Sequence, residues 1–452
     1  MVGFKITEEK NQIKITNNAK EKMKLLISPV ILELKRELKS GNKSILSDFW
    51  LKIEKNGTPL IENIENDINH KLVTFIVRAN KETKNAVVIC SLADQDDVVS
   101  NNVCEQVENT DVLYKSFIVL NGTRTVYTIS ENNTLKYRRF YDNLMQNLNT
   151  LAPDPYNPKR FIQRYRREGK IFVVEYSVLE LPDAKPEKWI RPDKNAIPGN
   201  LKSMDFYSRI LKMNKKIWVY TPHSFNIKAE PYHFLIIFDG KAFLEFTQAP
   251  TIFDNLQGEN KIPPIVAVFI HNYSGYKRSK DLSCYPLFAD FIAKELIPWA
   301  RENYNISSNP AHSVLIGSSS GGLTASFIGF KYPETFRNIL SQSGYYAWYP
   351  GYSWFQYNLK FYGDDYVRWW SKEEEKEEEW LTQQFLRSKK LPLKFYLNVG
   401  NLETRAIQPI RNFRKMLQDK EYDHLYEEYP GGHEYIAWRE YLPDGLIYLI
   451  GY

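Results

Sequence analysis

SVLIGSSSGGLTASFIGFK, Ser313 to Lys331, is the stretch on which the fold turns. Val314, Leu315 and Ile316 form a short apolar run suited to a buried strand, and Leu323, Phe327 and Ile328 recur at helical spacing. Between them Gly317-Ser318-Ser319-Ser320-Gly321 fits G-x-S-x-G, a nucleophile elbow whose glycines permit a strained strand-to-helix turn that lifts one serine hydroxyl over the sheet. The register of the pattern selects Ser319. Five residues with three fixed positions can arise by chance, so the flanking strand and helix carry the inference. The plain alternative is a Ser/Gly loop without chemistry.

A serine hydroxyl is a poor nucleophile at neutral pH and needs a base, which in turn needs an orienting acid. In α/β-hydrolases these follow in chain order serine, acid, histidine. Only His424 and His433 lie beyond Ser319. His424 heads an expected strand, whereas His433 stands in Tyr429-Pro430-Gly431-Gly432-His433-Glu434, a glycine loop directly after that strand, where the base belongs. The loop after the preceding strand reads Gly400-Asn401-Leu402-Glu403-Thr404, which makes Glu403 the first choice of acid, ahead of Asp364 and Asp365. Glu403 also reads as a charge at a helix N-terminus. The oxyanion requires two donors. Ser320 N–H supplies one, and the loop Asp239-Gly240-Lys241 supplies the other through Gly240 or Lys241 N–H.

Outward from the elbow, the chain beyond about residue 200 alternates strands and helices. Strands are expected at Ile217–Tyr220, Phe234–Phe238, Ile265–Ile270, Val314–Ile316, Asn338–Ser341, Lys394–Val399 and His424–Tyr429, with helices at Phe291–Tyr304, Gly322–Lys331 and Thr404–Asp419. Strands separated by helices mean a largely parallel sheet covered on both faces. Residues 46–150 have a different texture, with short β-rich runs such as Val73–Val77, Ala86–Ile89, Ser116–Val119 and Thr125–Ile129 between turn residues, suggesting a β-sandwich. Residues 1–45 read as an extension with a packing helix over Lys22–Lys39, broken or restarted at Pro29. The proline-dense residues 151–199 read as an extended linker, and 200–452 as the catalytic domain. The fold class is therefore α/β: a C-terminal α/β-hydrolase domain with a mostly parallel sheet, preceded by a smaller N-terminal β-sandwich domain.

Composition excludes several classes of function. A net charge of +6 spread over 60 basic and 54 acidic residues argues for mild attraction to anions rather than a nucleic-acid groove. No apolar run reaches the length of a membrane span, and the charged N-terminus MVGFKITEEKNQIKIT lacks the apolar core of a signal peptide. Three cysteines without a C-x-x-C pair give neither a zinc nor a disulfide signature and suit a reducing compartment, so a cytoplasmic location is expected, with no metal and no membrane partner. The sequence carries no signal for an oligomeric state.

With these residues in view, the chain resembles the enterochelin (enterobactin) esterases of the esterase D group. The resemblance rests on Phe238-Asp239-Gly240, Arg278-Ser279-Lys280-Asp281-Leu282, Gly317 to Leu323, Leu340-Ser341-Gln342-Ser343-Gly344, Gly400-Asn401-Leu402-Glu403 and Gly431-Gly432-His433-Glu434 with Trp438-Arg439. It spans the second domain in the family's order and, more loosely, the β-rich first domain. It implies a serine hydrolase that opens ester bonds of a ferric catecholate trilactone, a small-molecule siderophore, with no cofactor and with iron entering only as part of the substrate. It matches Ser319 to the nucleophile, His433 to the base, Glu403 to the acid and Arg278 to an arginine that holds the anionic substrate. For Arg278 the structural alternative is an ion pair with Asp281. The family's R-x-R-D becomes Arg278-Ser279-Lys280-Asp281 here, and the segment from Tyr345 to Trp370 is unusually aromatic. Tyr345 and Tyr346, with Trp348, Tyr349, Tyr352, Trp354 and Phe355, either stack substrate rings or pack a lid. An esterase of the same fold acting on feruloyl or acetyl sugar esters is the alternative function. A non-catalytic binder is the third, and the intact Ser319 and His433 argue against it.

Overall fold

The computed structural model describes residues 27–92, 96–167, 170–194, 196–273, 275–351 and 374–452. Tyr352, Trp354, Phe355, Asp364 and Asp365, and the start of the helix expected from Lys22, lie outside the described residues. The chain divides into two compact units, Met1–Ala184 and Lys185–Tyr452.

In the first unit Pro29 begins a helix: it occupies the first turn of Pro29–Lys39, where its missing N–H has no helical partner to lose, and Ser28 Oγ accepts from Ile31 N–H. A second helix spans Ile45–Asn56. Among the described residues nine strands follow: β1 (Leu60–Ile64), β2 (Asp67–Arg78), β3 (Ala86–Cys90), β4 (Glu105–Gln106), β5 (Val112–Leu120), β6 (Arg124–Glu131), β7 (Leu151–Ala152), β8 (Arg160–Arg167) and β9 (Lys170–Glu180). They form two antiparallel sheets, β1-β2-β5-β4 and β3-β6-β9-β8, with β7 paired to β6. Alternation along β2 explains the layering. Val73 and Phe75 meet Val88, Cys90 and Tyr127 of the second sheet, while Ile76 turns to Ile31, Leu34 and Trp50 of the helices. Residues 160–180, read as linker, are the hairpin β8–β9. The prolines stop at Pro158 and resume at Pro182, and between them Phe161, Val174 and Tyr176 are buried while Ile162, Ile171 and Val173 face outward, a period of two.

The second unit holds β10 (Asn200–Ser208), β11 (Met213–Thr221), β12 (His233–Ile237), β13 (Ile265–Ile270), β14 (Ser313–Ser318), β15 (Asn338–Gln342), β16 (Lys394–Gly400) and β17 (Asp423–Tyr429). They form one sheet in the order β10-β11-β13-β12-β14-β15-β16-β17, antiparallel at β10/β11/β13 and parallel from there on. β10 was not expected. Its NLKSMDFYS is largely polar because it is an edge strand, exposed along most of its length. The central runs FLII and IVAVFI are apolar throughout because both faces are covered. Leu235, Ile237, Val314 and Ile316 pack with Phe253 of helix Ala249–Gly258 and Leu446 of helix Tyr435–Ile450. Phe234, Ile236, Leu315 and Ile339 pack on the other face with Phe288, Phe327, Phe385 and Phe413 from four further helical segments. Among the described residues no helix is long and apolar enough to cross a membrane.

His233 opens β12 with its ring stacked on His312 at 4.1 Å, and its Nδ1 is buried without a hydrogen-bond partner. Burial first, and then His312, pulls its pKa from the ordinary 6.5 down to about 4. Between those values the unfolded chain binds the extra proton and the folded one does not. The associated stability is therefore intact above about pH 6.5 and declines as the pH falls towards 4, by about 1–2 kcal/mol at pH 5 for a ring that is still partly wet. His233→Phe is expected to flatten this decline. Melting curves at pH 7.5 and pH 5 check it, and an equal drop in Tm for wild type and variant would acquit His233.

Candidate active site

The elbow forms where β14 ends at the middle of the sheet. Ser319 adopts φ 57° and ψ −124°, a region in which a non-glycine residue is strained by roughly 1–3 kcal/mol. Its neighbours over-determine that geometry: Ser319 N–H donates to Gln342 O (2.9 Å), and its carbonyl accepts from Leu323 N–H (3.1 Å) and Tyr345 N–H (3.0 Å). A Cβ on Gly317 would lie 2.3 Å from Gly321 C, and one on Gly322 would lie 2.4 Å from Ser341 Oγ of β15, so glycine at these places lets the helix Ser320–Lys331 start this close to β14 and to its neighbour β15. Ser318 is buried, whereas Ser319 and Ser320 are half-buried. Ser320 is the first helical residue, and its N–H has no partner four residues back.

Acid and base meet on the loops two and three strands away. Glu403 Oε2 accepts the Nδ1 proton of His433 at 2.6 Å. A carboxylate only accepts, so Nδ1 carries a proton, and in the neutral ring the lone pair is on Nε2. Glu403 Oε1 accepts from Gly400 N–H (2.8 Å), Ser343 Oγ (2.6 Å) and, more weakly, Tyr429 OH (3.4 Å). Burial, reinforced by the Glu403 charge, pushes the Tyr429 phenol well above its ordinary pKa and keeps it a donor. Trp438 Nε1–H holds Ser343 Oγ at 2.9 Å, and its ring stands edge-on to His433 at 4.9 Å. The acid is 2% exposed and the imidazole 38%. Glu403 precedes the helix Ile407–Asp419 rather than capping it, so its carboxylate answers to His433 rather than to a helix end.

Backbone ties run from loop to loop along this carboxyl edge. Ser319 N–H reaches Gln342 O, Ser343 N–H reaches Asn398 O (2.8 Å), Asn401 N–H reaches Tyr429 O (2.8 Å) and Leu402 N–H reaches Gly431 O (3.1 Å). A Cβ on Gly400 would meet Gly431 O at 2.2 Å, so the acid and base loops close on each other only with glycine there.

The turn after β12 lies on the other side of the elbow. Asp239 is left-handed (φ 52°, ψ 37°), and a Cβ on Gly321 would be 3.5 Å from Phe238 Cβ and 3.8 Å from Asp239 Oδ2. Gly240 and Lys241 open the short helix Gly240–Ala242, so their N–H groups also lack partners four residues back. Arg278 does not make the alternative ion pair with Asp281. Its Nε and Nη2 fork onto Asp239 Oδ1 and Oδ2 at 2.8 and 2.7 Å, while Asp281 pairs with Lys215 instead. Tyr346 is corrected outright. It is 1% exposed, stacked on Phe413 at 4.0 Å, with its hydroxyl bonded to Ser326 and Ser341 inside the core, so it is not a substrate contact. Tyr345 is half-buried beside the elbow, where its N–H meets Ser319 O.

Thus the structure brings Glu403 and His433 into contact, sets Ser319, Ser320, Gly240 and Lys241 on the same edge of the sheet, and removes Tyr346. Ser343, Tyr429 and Trp438 had no role legible in the sequence. Their signal was that Ser343 and Trp438 stand in the recurring motifs with no job assigned. Among the described residues, no group of three or more His, Cys, Asp or Glu side chains is gathered as a metal site.

A strand-to-helix serine, a Glu–His pair on later strand ends and a mostly parallel sheet define an α/β-hydrolase. Residues 208–449 match the family model described as putative esterase, and residues 72–190 match enterochelin esterase, N-terminal. The chain belongs to the putative esterase family and is a hydrolase of ester bonds. It is 24% identical over 429 residues to the iron(III) enterobactin esterase of Dickeya dadantii, covering 89% of this chain and 92% of the relative. It is 23% identical to the iron(III) salmochelin esterase of Escherichia coli O6:H1, covering 93% and 98%. The crystal structure of the Shigella flexneri enterobactin esterase in the presence of enterobactin shares the fold at TM-score 0.68 and 21% identity, over 89% of this chain and 97% of that one.

Proposed function

We propose that this chain is a serine esterase that opens the ester bonds of a ferric catecholate trilactone of the enterobactin kind and so releases its iron in the cytoplasm. The observation that carries the reading is the 2.6 Å bond from His433 Nδ1 to a sealed Glu403, on the sheet edge that also bears Ser319. Nε2 takes the Ser319 proton as Oγ attacks the ester carbonyl carbon. The resulting oxyanion is received by the N–H groups of Ser320 and of Gly240 or Lys241. His433 then returns the proton to the departing serine-side alcohol, leaving an acyl-enzyme. Water activated by the same imidazole cleaves it. The catecholate identity is supported by the two family matches and by the names of the relatives. The compartment is supported by Cys90, Cys104 and Cys284, which are all free thiols.

Incubation with ferric and iron-free trilactone, followed by separation of linear trimer, dimer and monomer, tests the substrate. Linear products are expected. No turnover there, with good turnover of feruloyl or acetyl sugar esters, would overturn the siderophore assignment. Glu403→Gln replaces an acceptor facing Nδ1 with a potential donor and favours the wrong tautomer. It is expected to lower kcat by about 10³–10⁴-fold with KM within a few-fold. Steady-state kinetics on a nitrophenyl ester check this, and a loss below tenfold would detach Glu403 from the mechanism.

A further inference from the structure

Beneath the oxyanion turn lies a buried polar chain. Lys215 of β11 and Asp281, 1% and 6% exposed at their side chains, are joined Nζ to Oδ2 at 2.6 Å. The same Oδ2 accepts Asn272 Nδ2 at 3.0 Å, and Asn272, fully buried just past β13, accepts Asp239 N–H on Oδ1 at 2.9 Å. We propose that Asn272, aimed by the buried Asp281–Lys215 pair, is a positioning residue that sets the Asp239 turn and with it the Gly240 and Lys241 N–H groups for the oxyanion.

Desolvating two charges costs several kcal/mol, so a buried pair of this kind is poor evidence for stability and needs another reason to exist. Direction is that reason. The Asn272 amide fits only one way round: flipped, it would turn an N–H towards the Asp239 N–H and its oxygen towards the Asp281 carboxylate. The bond it makes ties down Asp239 at φ 52°, a left-handed conformation that aspartate adopts more readily than most residues but that still needs a partner to be fixed. From there Asp239 O accepts Ala242 N–H (2.8 Å) and Phe243 N–H (3.2 Å), which fixes the two intervening peptides. The short helix Tyr276–Asp281 grips Asp239 twice, through Arg278 on its carboxylate and through Asp281 and Asn272 on its N–H. The Arg278-to-Asp281 motif thus builds the hole.

This inference rests on the esterase reading of the site. Asn272→Leu is expected to lower kcat on nitrophenyl butyrate on the order of 10–100-fold with KM within twofold, short of the loss of a whole oxyanion donor. It should also weaken inhibition by phenylboronic acid, whose tetrahedral adduct places an oxygen in the hole, by a similar factor. Lys215→Met/Asp281→Leu, which removes both charges and the acceptor, should fall likewise. Lys215→Met/Asp281→Asn, which restores an oxygen for Asn272, should recover most of the loss. A folded Asn272→Leu with kcat and boronate affinity within twofold of wild type overturns the proposal. If Asn272→Leu does not fold, equal kcat in the two double variants overturns it. Failure of the esterase reading itself looks different: Ser319→Ala would keep full turnover and the boronic acid would not bind.

Discussion

Ser319→Ala is expected to lower kcat on nitrophenyl esters by about 10⁵–10⁶-fold, because it removes the atom that attacks and with it the covalent route. The residual rate, about 10³–10⁴-fold above water, would come from the oxyanion donors and substrate positioning. KM should change little, since the hydroxyl contributes little to holding the ester. Stability should change little too. The strained backbone at φ 57° is imposed by the Gln342, Leu323 and Tyr345 hydrogen bonds, none of which uses the side chain. Kinetics on purified protein with a matched melting curve decide the matter. A folded Ser319→Ala enzyme retaining more than a few per cent of wild-type kcat would move the nucleophile elsewhere.

His433→Ala is expected to cost a comparable factor, and the double variant with Ser319→Ala should be no worse than either single one, because serine and histidine act as a unit. Additive losses in the double variant would mean that the two residues act separately. The imidazole is 38% exposed while its acid is 2% exposed, so truncation leaves a space open to solvent beside an intact carboxylate. Imidazole added at millimolar concentration should restore part of the rate to His433→Ala and none to Ser319→Ala. Restoration of both would indicate general buffer catalysis.

The parts that were legible are those whose constraint is local in the chain. The elbow is a five-residue pattern, and His433 and Glu403 each follow a recognisable strand by a few residues. Their meeting at 2.6 Å then follows from the pairing of β16 with β17. What was not legible depends on distant partners. Asp239 is 39 residues from Arg278, and Ser343 is 95 from Trp438, so the motifs mark these residues without announcing the partner of any of them. Tyr346 and Tyr345 are adjacent and chemically alike, yet the first is core and the second half-buried beside the elbow. A run of aromatics does not say which ring faces in. The hairpin β8–β9 was hidden because the prolines on either side outweighed the alternation between them, and β10 because an edge strand need not be apolar.

The loop-to-loop ties along the carboxyl edge bear on how such an enzyme changes over evolutionary time. The elbow, the Ser343 turn and the acid and base loops are stitched to one another by main-chain bonds that no substitution other than proline removes. Side chains on these loops that make no bond to Glu403, His433 or Ser319 are therefore free to drift without unfastening the chemistry. Selection on a new ester would act on the walls while the hydrolytic frame is inherited intact, which fits a chain that shares the fold of the Shigella flexneri enterobactin esterase at 21% identity.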